Sequence, residues 1–245
     1  MHLSSSWTAR AVALGVLTAT VALSGCSGSS SAGKQGGGSS GSPTPSATAT
    51  TLSLDKAKAL AAAAVLTSAD LPGYTSKPQT HDASDDATEK QVEACLGLTV
   101  PHYVTRNLGT SYSKGTDEID SGADVVESTA VAQQQLQGLL SSKAPTCFIR
   151  TLKTALASAG ITFVSGSAKR VPLTVPGSDG AFGFRLAVVA KAQGRTINIT
   201  SYETGSLVGQ VEIDVTLVSV GPSSLTLADV TALATKATAR VRSAY

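Results

Sequence analysis

The stretch "VEIDVTL", residues 211–217, sets Val211, Ile213, Val215 and Leu217 against Glu212, Asp214 and Thr216. Side chains of a strand point alternately to opposite faces, so a period of two predicts a β-strand with one apolar face and one wet face. Working outward, Ile161–Ser165, Phe182–Ala190 and Thr196–Tyr202 read as further strands, with turns at "PGSDG" (176–180), "AQG" (192–194) and "ETGS" (203–206). Strands joined by short turns pair antiparallel. Residues Ala123–Ala130 are expected to add one more strand.

On either side of the strands the period lengthens to that of a helix. "SLDKAKALAAAAVL" predicts a helix over Leu54–Leu66, and Asp86 with Glu89 forms a capping-box pattern ahead of Val92, Cys95 and Leu96, so a second helix is expected over Ala87–Gly97. Leu136, Leu139 and Leu140 mark a third. Pro145 suits a helix start, and Phe148, Leu152, Ala155, Leu156 and Ala159 follow one face until Gly160 stops it. A last helix opens at Thr226 with Asp229 three residues on, and turns Val230, Leu233, Ala237 and Val241 inward. This alternation of elements predicts an α+β fold, an antiparallel sheet with helices packed on one face, as a single domain over residues 52–245.

Ahead of that domain the chain has a different chemistry. Arg10 precedes Ala11–Leu23, an uncharged run of 13 residues, too short for the roughly 20 that a permanent membrane helix needs. Residues 1–25 therefore read as a signal peptide. Leu23, Ser24, Gly25 and Cys26 resemble the lipobox of bacterial lipoproteins, which implies a diacylglyceryl group on the Cys26 sulfur and cleavage before it. Two acyl chains anchor stably where one holds only marginally. The alternative is a plain secretory signal cut near Ala22, with Cys26 as an idle thiol. Residues 26–51, almost wholly Ser, Gly, Ala, Pro and Thr, cannot bury enough apolar surface to offset their ordering entropy and read as a flexible tether.

Lipidation of Cys26 leaves Cys95 and Cys147, an even pair in an oxidising compartment, and these are expected to form a disulfide. Closing a loop of about 50 residues would stabilise the fold by roughly 4 kcal/mol in the chain-entropy description.

Charge narrows the partners. The domain carries 17 acidic residues, with 12 acids against 6 bases over Leu52–Glu127 and 5 against 11 over Lys143–Tyr245. A neutral domain split this way does not concentrate the basic charge that nucleic acid demands. The basic half could meet anionic lipid or wall polymers; the plainer expectation is that the two halves attract each other within one fold.

Three segments, "AVLTSADLPGYT" (64–75), "VEACLG" (92–97) and "KAPTCFIRTLKTAL" (143–156), together resemble the extracellular sensor-like domains of actinobacterial lipoproteins, a group similar to the external domain of PknH-like receptor kinases. In that group the "LT.ADLPG" leader precedes a Cys-bearing helix, and a second Cys opens a later helix before a run of strands. The resemblance implies reception of an envelope signal or ligand. It carries over no ligand-contacting residue.

The residues themselves offer little catalytic chemistry. His81, Asp82, Asp85, Asp86 and Glu89 crowd "HDASDDATEK", but the spacing fits neither an EF-hand nor a zinc motif and suits acids at a helix start. "SLDK" (53–56) and "SYSK" (111–114) match S-x-x-K without its companion motifs, and His81 and His102 are the two candidate bases for a triad. Gly177, Gly180 and Gly183 are expected to form a turn rather than a phosphate cradle, and the Asn198-Ile199-Thr200 sequon falls in a strand. With Trp7 in the signal, Tyr74, Tyr103, Tyr112 and Tyr202 are the aromatic contact candidates, with packing as their plainer use. No catalytic, metal or cofactor-binding residue is assigned and no cofactor is expected. The reading is a lipid-anchored, non-enzymatic binding or sensing domain on the extracytoplasmic face of the membrane, with an unknown envelope ligand or protein partner and no nucleic acid. A scaffold module or an envelope hydrolase are the alternatives.

Overall fold

The computed structural model describes residues 52–80, 83–223 and 225–245. The signal peptide, Cys26, the tether, His81 and Asp82 lie outside the described residues, as does the side chain of Asp85. In chain order the elements are α1 (Leu54–Ala64), β1 (Thr75–Pro78), α2 (Ala83–Leu96), β2 (Tyr103–Asn107), β3 (Thr110–Lys114) and β4 (Asp117–Val126). There follow α3 (Thr129–Leu139), α4 (Ala144–Ser158), β5 (Thr162–Arg170), β6 (Gly180–Ala192), β7 (Arg195–Val208), β8 (Val211–Val220) and α5 (Leu227–Ala244). Together they form one α+β domain around an open, eight-stranded antiparallel sheet.

Local chemistry sets the helix ends. The Ser53 hydroxyl accepts from the Lys56 amide at the start of α1, and Ser128 does the same for Val131 at the start of α3. Pro145 sits in the first turn of α4, where its missing N–H costs nothing. At α5 the Asp229 carboxylate accepts from both the amide (2.8 Å) and the hydroxyl (2.7 Å) of Thr226.

The strand order is β1-β3-β4-β8-β7-β6-β5, with β2 pairing the other end of the β4 edge that β3 occupies. β6 and β7 form a long hairpin that turns at Gln193 and Gly194, both at positive φ (51° and 77°), the geometry whose twist matches that of paired strands. "ETGS", expected to be a turn, instead lies inside β7. Its glycine has a packing reason: a Cβ on Gly205 would meet the Phe182 ring at 2.1 Å. The chain turns at Gly209-Gln210. Of the strand expected over Ala123–Ala130, the first part belongs to β4, which begins back at Asp117, and Thr129 already opens α3.

The helices, expected on one face, divide between two, and the sheet register gives the reason. Odd residues of β8 share a face with Ile119, Ala123 and Val125 of β4, and are covered by α1 and α5 through Leu60, Ala61, Val230, Leu233 and Val241. Phe182 pairs with Gly205, which pairs with Asp214, so the apolar residues of β6 project to the opposite face. There Phe182, Phe184, Leu186 and Val188 pack against Leu136, Phe148, Leu152 and Leu156 of α3 and α4, and Val92 and Leu96 of α2. Both faces carry apolar surface, in different strands, and each needs its own helices. Cys95 of α2 and Cys147 of α4 are disulfide-bonded, with Cα atoms 5.7 Å apart.

Candidate functional site

The face of β8 expected to be wet is buried: Glu212 is 2% exposed, Asp214 5% and Thr216 0%. Register brings further acids beside them. Asp124 of β4 lies directly opposite Glu212, Asp120 lies opposite Thr216, and Glu203 of β7 faces Thr216 from the other side. All are buried. Like charges directly opposite each other across two strands destabilise a sheet, so this arrangement is not one that folding alone selects.

Helix α2 completes the group from above. Glu89 and Glu93, one turn apart, share a helix face and are both buried. The Tyr103 hydroxyl donates to Glu89, and Arg106 donates to Glu89 (2.9 Å) and Asp124 (3.3 Å), joining α2, β2 and β4. The guanidinium also lies 3.8 Å from the centroid of the Tyr103 ring. Burial opposes the charge on Arg106, but the Asp124 and Glu89 carboxylates outweigh it and hold the group cationic. Arg106 thus forms an ion pair with a carboxylate on each side of it.

Glu93 has no such partner among the described residues. It is 3% exposed, and neither carboxylate oxygen accepts a hydrogen bond. The same holds for Oδ2 of Asp214 and for Oγ1 of Thr216. Asp214 sits between two glycines in its row of the sheet, Gly122 on β4 and Gly205 on β7. Its carboxylate leans over Gly122, where a Cβ would come within 2.8 Å of it.

Desolvation governs the ionisation of the group. It raises the Glu93 carboxyl to about 7, with the charges of Glu89 and Glu212 adding to the effect. Burial likewise raises Glu203 to about 7, against a lowering hydrogen bond from Ser201, and Glu212 to about 7. Asp214 is raised well above the usual carboxylate range by burial and then by Asp124. Chemically the seam is a set of carboxylates that cannot all be ionised unless positive charge joins them.

The residues weighed from the sequence are mostly structural. Ser53 caps α1, and the Ser111 hydroxyl donates to Glu118. His102 is exposed just ahead of β2, and among the described residues no hydrogen bond or ion pair of its side chain is formed. Asp179, in "PGSDG", caps the Gly209 amide at 2.6 Å and pairs with Arg242, so a carboxylate occupies the place an anion would need. Asn198 lies on β7, as expected, its carbonyl accepting from the Gly221 amide. Tyr112 is buried and donates to the Leu66 carbonyl, while Tyr74 and Tyr202 pack around the α5 side of the sheet. Tyr103 alone of the four lies at the acidic seam. Glu89, read from the sequence as an acid at a helix start, is buried, and among the described residues no three His, Cys, Asp or Glu converge as they would around a metal ion.

Among the described residues Arg240 pairs with Asp70 across the halves of opposite charge, at 2.9 Å, yet Glu203, Glu212 and Asp214 of the basic half join the acids of the other. Two open hollows elsewhere, of about 380 Å³ beside Ala239 and Ser243 and about 230 Å³ beside Pro145 and Ala168, gather no comparable set of polar groups.

No family model matches the chain, and no curated protein matches it. Among solved structures it is similar to the extracellular domain of PknH from Mycobacterium tuberculosis, with a TM-score of 0.41 and 10% identity over 79% of this chain and 98% of that one. It is also similar to an uncharacterized protein from Mycobacterium smegmatis, the Rv0999 ortholog, with a TM-score of 0.37 and 11% identity over 70% of this chain and 90% of that one.

Proposed function

We propose that this protein is a lipid-anchored, non-enzymatic binding domain of sensor type, held at the extracytoplasmic face of the membrane by acyl chains on Cys26, and that it receives its ligand at the acidic seam between α2 and the sheet. The observation that carries the receiving site is the buried carboxylate of Glu93, left without a hydrogen-bond partner above a sheet face of further acids. A buried polar group in that state costs the fold about 1–3 kcal/mol, and more when charged, which a stability role does not explain. A ligand would supply what the fold leaves out.

The anchor rests on the lipobox and on the tether that follows it. Among the described residues no helix is long and apolar enough to cross a membrane. A non-enzymatic role fits a site that pairs its carboxylates with a guanidinium and a phenol. Fractionation of cells expressing wild type and Cys26→Ser tests the anchor: wild type is expected in the membrane pellet and the variant in the soluble fraction. Equal pelleting of both would remove the anchor from the proposal.

A further inference from the structure

We infer that the ligand of this seam is a linear organic polycation, a chain of methylenes bearing several amines, with Glu93 on α2 and Asp214 on β8 as its anchoring carboxylates. The inference rests on the reading of the seam as the receiving site and adds the chemical class of what it receives.

Sign comes first. Glu93 and Asp214 are both more than nine-tenths buried and carry unpartnered oxygens, on opposite walls of the seam. Buried carboxylate oxygens accept hydrogen bonds and nothing else while ionised, so the missing partner is a donor, and a charged one where the surroundings are acidic. Arg106 is already committed to Glu89 and Asp124.

Shape comes next. The acids do not converge on one point. Glu203 lies two strands away from Asp124, and the row that pairs it with Thr216 is four residues along β8 from the row that pairs Asp124 with Glu212. At about 4.8 Å between strands and 3.4 Å per residue, these ends are about 17 Å apart. A single metal ion cannot span that separation; a chain with amines several methylenes apart can. Apolar surface runs beside the acids, since Phe184 pairs with Glu203 and Leu207 with Glu212 on the same face, and methylenes would lie against it.

Binding must also move protons. Glu93 faces Glu89 on its own helix, Glu212 on β8 and Arg106 on β2; Asp214 faces Asp120 and Asp124 on β4 and Glu212 on its own strand. Among the described residues these neighbours are acids, apart from one arginine, and they favour protons on the group until an external cation arrives. The polycation therefore displaces protons and binds more tightly as pH rises from 6 to 8.

Titration calorimetry of the full mature chain in detergent, with spermidine as probe, tests this. Expected are saturable one-to-one binding, at least tenfold tighter at pH 8 than at pH 6, and a heat that changes with the ionisation enthalpy of the buffer. Glu93→Gln and Asp214→Asn are each expected to weaken binding at least tenfold while keeping the wild-type near-ultraviolet circular dichroism. Magnesium chloride at matched ionic strength should not reproduce the effect. Spermidine binding that both variants retain would overturn the inference, because the cation would then belong to the general surface charge. If spermidine gives no saturable heat, while a neutral or anionic compound raises the melting temperature of wild type and not of Glu93→Gln, the polycation is wrong and the receiving site stands. If no compound of any charge distinguishes wild type from Glu93→Gln, both fall.

Discussion

The two faces of this sheet are built on opposite rules. On the α1 and α5 face, each polar group has a local answer: Arg240 donates to the carbonyls of Ala63 and Val65 and to Asp70, which in turn accepts from Thr67. Ser206 meets Thr238, and the rest is close-packed aliphatic surface. On the α2 face, apolar packing under α3 and α4 gives way to carboxylates that face one another, with Glu93 and Asp214 left short of donors. The first face lowers the free energy of the fold, while the buried acids of the second raise it. Where a protein keeps such a cost in one place, that place is the one to examine for function.

The largest test of this contrast concerns what holds α2 over the acids. Helix α2 is tied to α4 by the disulfide between Cys95 and Cys147, 52 residues apart in sequence. Replacing both cysteines by alanine should destabilise the domain by about 4 kcal/mol, measured by denaturant unfolding. A change below about 1 kcal/mol would mean that packing alone retains α2 there.

Next is the acidic face itself, where neutralisation should help. The Glu203 carboxyl is raised to about 7 from an ordinary 4.5, so the folded state binds more protons than the unfolded state between those values. Stability therefore falls as pH rises from about 4.5 to about 7, and is flat above. Glu203→Gln should remove part of that fall and stabilise the domain at pH 8 by up to about 3 kcal/mol. The melting temperature of variant and wild type across pH 4–8 decides it; a variant less stable than wild type at pH 8 would contradict the account of this face.

The smallest of the three concerns the opposite face and has the opposite sign. Arg240→Ala removes donors from two carbonyls and from Asp70, and should cost about 2 kcal/mol at neutral pH. Burial alone would raise the Asp70 carboxyl, but the Thr67 amide and Arg240 outweigh it and hold it below 3.8. Its contribution is thus present above the unfolded value and is lost as pH falls through the lower folded one. In Arg240→Ala the acid limb of the stability profile should flatten. An unchanged limb would show that Thr67 alone sets this carboxyl.

The helices were legible because their signals are local: Ser53 at a cap, Pro145 in a first turn, Asp229 three residues after Thr226, and a 3.6-residue apolar period behind each. β6 and β8 were legible from their alternation. β1, β2 and β3 were not, since "TSKP", "YVTRN" and "TSYSK" are short and mostly polar, and they become strands only because the edge of β4, and then that of β3, offers unpaired backbone groups. Gly205 misled because a glycine that admits an aromatic ring looks in sequence like a glycine that turns the chain. Of the site, Glu89 and Tyr103 had been singled out for other reasons, and Glu212, Asp214 and Thr216 as a face turned to water.

What the sequence determined by itself is the alternation of valine and acid along β8, the helix boundaries and the fold class, all of which depend on neighbours a few residues away. What the tertiary structure decided is which side of each strand meets water. Burial depends on which helix lies across a face, and that is settled by pairings between residues as far apart as Asp124 and Glu212. The alternation was read correctly as geometry; only the packing of α2 over it turned a solvent face into a seam of buried acids.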